Sequence, residues 1–375
     1  MKKHQKHTAL QKPQIGRFGK SEWAILGAPC GLIQTLSSAL NVALKEKFNV
    51  VYMDADHASA DHESNESSLA YYKEYVDKIN YHQFNLPSDL NDFDFKESFK
   101  EADVVLVNGN HFPASRQIVI IDPIKEKSLK KRLDQLSNID LILIKDNADI
   151  FSWLKEAKSI EHVKVLDLNN TAAIVEHIST ELKSPILEGL VLAGGKSQRM
   201  GRDKGLINYH GLPQRNYLFN QLSTVCGKVH FSFAEKQSDI DEDQIIDTFT
   251  GLGPFGAILS AFRSDPNKAY FAVACDYPNL DMDAIQFLID HRDPSKIATC
   301  FYNPATSFPE PTITIWEPKA YQRLLYFLSL GYACPRKVLI NSNVHVVEYN
   351  DISILKNVNT PEEYQAVKES IEHAS

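Results

Sequence analysis

The chain has 375 residues, 43% hydrophobic and 23% charged, which suits about two globular domains and excludes disorder as its main character. With 40 Lys and Arg against 48 Asp and Glu, its formal charge of −8 argues against sequence-independent binding of nucleic acid. No apolar run reaches the roughly 18–20 residues of a membrane span, and the basic N-terminus lacks the apolar segment of a secretory signal.

The five cysteines are scattered, odd in number and never spaced as C-x-x-C. This pattern indicates neither a disulfide framework nor a zinc site, and it favours a reduced, cytoplasmic compartment. Residues 1–20 hold six basic side chains and no acid, which is typical of a solvated basic tail. The alternative for this tail is an arm that binds phosphate or RNA.

Apolar strands alternate with amphipathic helices from residue 21 to 183. One predicted helix covers 32–47, with Leu32, Leu36, Leu40 and Leu44 on one face, and another covers 171–182. The predicted strands are Glu22–Leu26, Asn49–Met53, Asp103–Val107, Gln117–Ile121, Asp140–Ile144 and Val163–Leu168. Continuous apolar strands separated by helices predict an α/β domain with a doubly wound, mainly parallel sheet.

A short polar segment with a proline, Lys183-Ser184-Pro185, marks the predicted domain boundary. A second α/β domain is expected over 187–375. Its predicted strands are Gly189–Leu192, Lys228–Phe233, Gln244–Ile246, Tyr270–Cys275, Ile297–Phe301, Thr312–Trp316 and Val344–Val347.

The segment 192–204, Leu-Ala-Gly-Gly-Lys-Ser-Gln-Arg-Met-Gly-Arg-Asp-Lys, follows the first of these strands. It therefore lies at the carboxyl end of a sheet strand, where open α/β sheets bind ligands. Its paired glycines let backbone N–H groups approach a phosphate. Arg199 and Lys204 supply positive charge for phosphate oxygens. The alternative is a tight surface turn with solvated charges.

This segment resembles the signature of the molybdenum cofactor guanylyltransferases. Three later segments fit the same family in order and spacing: Gly253–Leu259 with its G-P turn, Ala274–Pro278 with the C-D-x-P metal motif, and Asn357–Glu363 with N-x-N-T-P-E-E. Pro309–Thr312 also resembles a substrate-side segment. The resemblance covers about 187–375 and implies a Rossmann-like nucleotidyltransferase fold for the second domain.

The resemblance implies transfer of GMP from GTP to molybdopterin, with release of pyrophosphate. The expected catalytic residues are Arg199, Lys204 and Asp276, and Asp276 would also hold Mg²⁺, since carboxylate oxygens suit that ion. A molybdoenzyme or a cofactor-insertion protein is a candidate partner. The alternative for Asp276 is a turn or helix-capping residue.

The same resemblance assigns binding residues. The nucleotide would contact Leu192, Ala193, Gly194, Gly195, Ser197, Lys204, Asp247 and Asp276, with Asp247 near the guanine. The pterin would face Asn357 and Asn359. Those two asparagines are also placed to shape the turn before a helix that starts with a proline and a capping-box glutamate.

Two departures from the family pattern stand in the second domain. Relatives often carry asparagine on the second strand, where this chain has Phe231-Ser232-Phe233-Ala234, and bulky Phe255 precedes Gly256 in the G-P turn. The run 251–256 also matches G-x-G-x-x-G, a dinucleotide-binding fingerprint, although no clean strand precedes it and Pro254 removes a backbone donor. An NAD-dependent oxidoreductase is therefore kept as an alternative, beside a cytidylyltransferase and an inactive scaffold.

The first domain resembles the GTP-binding adaptor of molybdopterin dinucleotide synthesis, with a degenerate P-loop. Gly27 occupies the first glycine, but Leu32, Ile33 and Gln34 replace the last three motif residues: the second glycine, the lysine that binds phosphate and the hydroxyl residue that binds Mg²⁺. Asn108 stands where the adaptors carry an acid. An acidic cluster stands after the second predicted strand, Asn49–Met53. It is expected to be a solvated loop, with a metal site as the alternative: Asp54, Asp56, His57, Asp61, His62 and Glu63.

Overall fold

The structure is a computed structural model in which the chain forms two compact units, Gln14–Lys183 and one containing Ser184–Ser375. It describes residues 21–55, 74–86, 90–182, 184–194, 203–238 and 243–374, together with Gln11, Arg17, Phe18 and Ile240.

The first unit is built on a six-stranded sheet in which all neighbouring strands are parallel. In spatial order, the strands are β2 (Val50–Met53), β5 (Val104–Asn108), β1 (Ser21–Leu26), β6 (Arg116–Ile121), β7 (Ile139–Ile144) and β8 (Lys164–Asp167). The helices are α1 (Cys30–Leu44), α2 (Asp92–Glu97), α3 (Glu126–Lys130), α4 (Ser152–Ala157) and α5 (Thr171–Glu181). The parallel, doubly wound sheet predicted for this half is confirmed.

Two apolar layers cover the two faces of this sheet. Because successive strand residues point to opposite faces, Trp23 and Ile25 join the core that includes α1 and α5, whereas Ala24 and Leu26 join the other core. A two-stranded hairpin of β3 (Glu74–Asp77) and β4 (His82–Asn85) was not predicted. Its strands are four residues long and half-exposed, so they lack a continuous apolar run.

The second unit has a seven-stranded sheet. In spatial order, its strands are β11 (Gln244–Ile246), β10 (Val229–Phe233), β9 (Leu187–Leu192), β12 (Ala269–Ala274), β14 (Phe308–Trp316), β13 (Ala298–Asn303) and β15 (His345–Val347). The helices are α6 (Gln214–Ser223), α7 (Pro254–Ser264), α8 (Met282–Asp290), α9 (Ala320–Ser329), α10 (Pro335–Ile340) and α11 (Pro361–Ala374).

This second sheet is mainly parallel, as predicted, with β14 as the exception. β14 is antiparallel to both of its neighbours because a turn at 304–307 joins it directly to β13, and a connection that short reverses the chain. The central strands β10, β9 and β12 are parallel and in register, so Leu192 lies opposite both Ser232 and Ala274. Their carboxyl ends therefore meet at one edge.

Over the part of the chain that is described, no helix combines the length and apolar character needed to cross a bilayer.

Candidate functional site

The segment after β9 is pressed against β10 at the carboxyl edge of the sheet. The Ala193 N–H donates to the Ser232 carbonyl at 3.1 Å. A Cβ atom at Gly194 would lie 3.0 Å from the Ala234 nitrogen, so a side chain there would crowd the neighbouring strand. The glycine therefore lets Leu192, Ala193 and Gly194 follow the sheet edge. Gly195, Ser197 and Arg199 fall outside the described residues.

Three predicted site residues from distant parts of the sequence lie together. The Lys204 Nζ donates to the Asn359 Oδ1 at 2.7 Å and lies 3.6 Å from the Asp276 Oδ2. Lys204 opens a short 3-10 turn that Asp203 caps through the Gly205 N–H. The backbone also joins the group, because the Val358 N–H donates to the Asp276 carbonyl at 2.8 Å. The Lys204 ammonium is thus held between the Asp276 carboxylate and the Asn359 amide oxygen.

The two oxygens of the Asp276 carboxylate differ in their partners among the described residues. Its Oδ2 faces Lys204, whereas its buried Oδ1 accepts no hydrogen bond from that part of the chain. Burial raises the pKa of Asp276, and the Lys204 ammonium opposes that rise. An orphaned, buried carboxylate oxygen is costly unless a ligand satisfies it, and oxygen is the donor that Mg²⁺ prefers. The residue present therefore fits a Mg²⁺ ion.

Asp276 would be a solitary protein ligand. Within the described ranges, no three His, Cys, Asp or Glu side chains are placed to hold a metal together. An ion held by one carboxylate takes its remaining ligands from water and from substrate phosphates, which is how Mg²⁺ commonly binds at phosphoryl-transfer sites.

Asp247 follows β11 at the same edge, and β10 separates that strand from β9. The Ser232 Oγ donates to the Asp247 Oδ1 at 2.8 Å, and the Asp247 N–H donates to the Phe233 carbonyl at 2.8 Å. Burial raises the pKa of Asp247, and the Ser232 hydroxyl counters that effect. Ser232, in the segment that departs from the family pattern, thus orients the carboxylate predicted to lie near guanine. Sequence reasoning missed this pair.

The turn before α11 reconciles the two interpretations of its asparagines. Glu363 accepts from the N–H groups of Asn359 and Thr360 at 2.6 and 3.1 Å, and the Thr360 Oγ1 accepts from the Glu363 N–H at 3.2 Å. This is the predicted capping box. The Asn359 side chain leaves the cap and accepts from Lys204, while Asn357 is exposed. The turn is structural, and one of its side chains reaches the site.

A buried polar group braces the residue after Asp276. Glu310, which is 2% exposed, accepts from the Tyr277 Oη at 2.8 Å and from the Asn303 Nδ2 at 3.1 Å. Arg336 lies 3.6 Å from the same carboxylate. The Pro309–Thr312 segment was singled out in the sequence, but Tyr277, Asn303 and Arg336 were not. The sequence signal that could have identified this group is Glu310, an acid between two prolines on an otherwise apolar strand.

The G-x-G-x-x-G run is a packing feature of α7. Phe255 is fully buried, and a Cβ atom at Gly256 would come within 2.1 Å of the Phe249 carbonyl oxygen. Gly253 has a φ of +57°, a conformation that favours glycine. The departures at Phe255 and Gly256 are therefore explained by close contact of the helix with the preceding loop.

In the first unit, the glycine turn after β1 is also required by packing. Gly27 has a φ of +92°, and a Cβ atom there would lie 2.2 Å from the Ile120 carbonyl oxygen. The Asn108 Nδ2 donates to the Asp54 Oδ1 at 2.9 Å, which an acid at this position would not do. The other members of the predicted acidic cluster, from Asp56 to Glu63, lie outside the described residues.

Comparisons with known proteins identify a family to which the second unit is similar. The model of the MobA-like NTP transferase domain matches residues 189–346. A molybdenum cofactor biosynthesis bifunctional protein of Synechocystis is 32% identical over 182 residues, 48% of this chain and 52% of that protein, so the chain spans about half of that relative. A molybdenum cofactor guanylyltransferase of Vibrio atlanticus is 28% identical over 186 residues, 46% of this chain and 91% of that enzyme.

A solved structure, molybdopterin-guanine dinucleotide biosynthesis protein A of Archaeoglobus fulgidus, covers 50% of this chain and 99% of its own, at 18% identity and a TM-score of 0.44. The segment matched by the family model runs from β9 to β15 and contains Lys204, Asp247 and Asp276. Residues 189–346 are therefore a MobA-like NTP transferase domain.

Proposed function

We propose that the chain transfers GMP from GTP to molybdopterin, which releases pyrophosphate and yields the guanine dinucleotide cofactor. The observation that carries this proposal is the group formed by Lys204, Asp276 and Asn359 at the carboxyl edge of β9 and β12. The names of the relatives supply the substrates, because several are called molybdenum cofactor guanylyltransferases.

The reaction needs positioning and charge more than a protein nucleophile. A terminal phosphate oxygen of molybdopterin bonds to the α-phosphorus of GTP, and the bond from that phosphorus to the β-phosphate bridge breaks. Lys204 would neutralise negative charge on the transferred phosphate, with its ammonium held by Asn359 and Asp276. The segment 192–194 would carry the nucleotide along the sheet edge. Asp247 would accept from the N1–H and the exocyclic amine of guanine.

The Asp276 Oδ1 is the oxygen that would bind Mg²⁺. When bound, this ion supplies positive charge to the phosphates and to the leaving pyrophosphate. Lys204 would share the carboxylate with the ion, because its Nζ lies 3.6 Å from the second oxygen, Oδ2. Arg199, on the segment outside the described residues, would add a further positive charge.

The test mixes the full chain with GTP, MgCl₂ and molybdenum-loaded molybdopterin, then measures pyrophosphate and the dinucleotide product. Asp276→Asn should lower the rate by roughly two to three orders of magnitude, as loss of a charge-stabilising group does. Asp283→Asn, an exposed acid on α8, is the matched control and should keep the activity. Preference for CTP would reassign the domain as a cytidylyltransferase, and full activity of Asp276→Asn would refute the assigned role.

We further propose that residues 21–183 are a degenerate adaptor-like domain that docks a molybdoenzyme or cofactor-insertion protein, in the cytoplasm. The parallel sheet with its glycine turn before α1 supports this proposal, and the missing lysine and hydroxyl argue against GTP hydrolysis there. The full chain incubated with GTP and Mg²⁺ should release no inorganic phosphate. Steady phosphate release by the Asp276→Asn variant would contradict the degenerate assignment.

A further inference from the structure

A cysteine, a histidine and a carboxylate meet at the carboxyl edge of the first unit's sheet. The Cys30 Sγ and the His111 Nε2 are 3.3 Å apart, and the same nitrogen lies 3.6 Å from the Asp54 Oδ1. These residues follow β1, β5 and β2, which are neighbours in the sheet. The group therefore lies outside the carboxyl ends of parallel strands, the edge at which open α/β sheets bind ligands.

A helix N-terminus and an amide donor lie beside Cys30. Cys30 is the first residue of α1, a helix of 15 residues with no acid in its first turn, so the positive end of the helix dipole faces the sulfur. The Asn110 Nδ2 lies 3.6 Å from the sulfur and can donate to it. The cysteine is half-buried, and a Cβ atom at Gly31 would meet nothing within 4 Å among the described residues. A small molecule can therefore approach.

The carboxylate is held in its charged form. Partial burial would raise the pKa of Asp54, but hydrogen bonds from Tyr52 and Asn108 outweigh it, so the pKa lies below its ordinary value. Those bonds measure 2.6 Å from the Tyr52 Oη and 2.9 Å from the Asn108 Nδ2. A carboxylate beside the His111 Nε2 stabilises the imidazolium that forms when His111 takes a proton.

We propose that Cys30 is a nucleophilic thiol that attacks low-molecular-weight disulfides, with the His111 imidazole as its base and with Asp54 and Asn110 as positioning residues. The His111 Nε2 takes the thiol proton, and the sulfur forms a new S–S bond as the incoming disulfide bond breaks. The departing thiolate then takes the proton from His111. Thiol and disulfide are exchanged for a mixed disulfide and a free thiol, and no other oxidant is consumed.

The product would persist, which makes Cys30 a modification site and not a turnover catalyst. Cys30 is the sole cysteine in the sequence from Gln14 to Lys183, so this unit has no second thiol to resolve the mixed disulfide. Three of the other four cysteines are either buried or have a raised pKa. Cys275 and Cys300 are buried, and burial raises the pKa of Cys226 to about 12. Cys334 is half-buried, like Cys30, and is the internal reference.

The test exposes the reduced full chain to oxidised glutathione and, separately, to dithiobis(nitrobenzoate), with peptide mapping by mass spectrometry over time. Cys30 should react at least about tenfold faster than Cys334, and His111→Gln should slow its reaction about tenfold or more near neutral pH. Cys334→Ser should leave the Cys30 rate unchanged. Faster reaction of Cys334 than of Cys30 in the wild-type chain would overturn the proposal without any variant.

The pH profile separates a base from a merely structural histidine. At about pH 10 most thiols ionise unaided, so the Cys30 rates of His111→Gln and the wild type should converge there and diverge toward neutral pH. Asp54→Asn, a nearly isosteric change, should slow the neutral reaction severalfold in the same way. Equal rates at neutral pH in the wild type and both variants would refute the role of the imidazole.

Discussion

Asn359 offers a sharp test of the site, because it was expected to bind the pterin and its amide oxygen accepts from Lys204. We predict that Asn359→Ala acts through the lysine. A hydrogen bond to a charged group contributes about 1.5–3 kcal/mol, which corresponds to roughly 10–150-fold in rate if it is fully expressed in the transition state. At 2.7 Å this bond is short, so the upper half of that range is expected.

Combining Asn359→Ala with Lys204→Met tests whether Asn359 acts through Lys204. Lys204→Met should cost roughly two to three orders of magnitude in kcat/KM because it removes a positive charge from the site. If Asn359 acts by holding Lys204, then Asn359→Ala should cost little more in the Lys204→Met background. Pyrophosphate release at varied molybdopterin and saturating GTP gives both kcat and KM. Asn341→Ala, an exposed asparagine at the end of α10, is the matched control and should leave both constants unchanged.

Additive losses in the double variant would refute this reasoning. So would a single Asn359→Ala variant that raised the KM for molybdopterin at unchanged kcat, because that result indicates direct pterin binding with equal strength in the ground and transition states.

Two further predictions concern the stability of the second unit. Gly256→Ala should lower the free energy of unfolding by about 1–3 kcal/mol in urea denaturation, because its methyl group would meet a carbonyl oxygen at 2.1 Å; Gly227→Ala, whose nearest contact is 3.5 Å, should cost less. Burial would raise the pKa of Glu188, but hydrogen bonds from His230 and Lys268 outweigh it and hold the pKa below its ordinary value. This stabilisation is present above the unfolded-state pKa and is lost as the pH falls through the folded-state pKa. Glu188→Gln should therefore lower Tm at pH 7, and its Tm should converge with that of the wild type as the pH falls through the folded-state pKa. A constant difference in Tm across that range would contradict the assignment.

The central strands of the two large sheets were predictable because they are nearly continuous apolar runs. Val104–Asn108 and Ala269–Ala274 are buried on both faces of their sheets, so their sequences alone separate them from amphipathic helices. The β3–β4 hairpin was not predictable in the same way, since its half-exposed strands carry no such run. The direction of β14 depends on the length of its connection to β13, which hydrophobic periodicity does not encode.

The site was predictable as a set of residue types and not as a set of contacts. The motifs identify Lys204 and Asp276, but the bond from Lys204 to Asn359 joins residues 155 positions apart. That bond depends on how α11 packs: the rings of Tyr209 and Tyr364 meet at 5.3 Å beside buried Val358. Tertiary packing of this kind has no local signal in the sequence.

Gly27 and Gly194 show why the glycines of a phosphate-binding motif are, by themselves, weak evidence for phosphate binding. Gly27 and Gly194 both follow a central strand, and at both positions a Cβ atom would crowd the backbone of a neighbouring strand, at 2.2 and 3.0 Å. The fold therefore requires small residues there whatever ligand is bound. The side chains that follow each turn decide the chemistry. After β9 the lysine Lys204 faces a carboxylate, whereas after β1 no lysine follows and Cys30 begins the helix beside a histidine. We therefore propose phosphate binding for the first arrangement and thiol chemistry for the second.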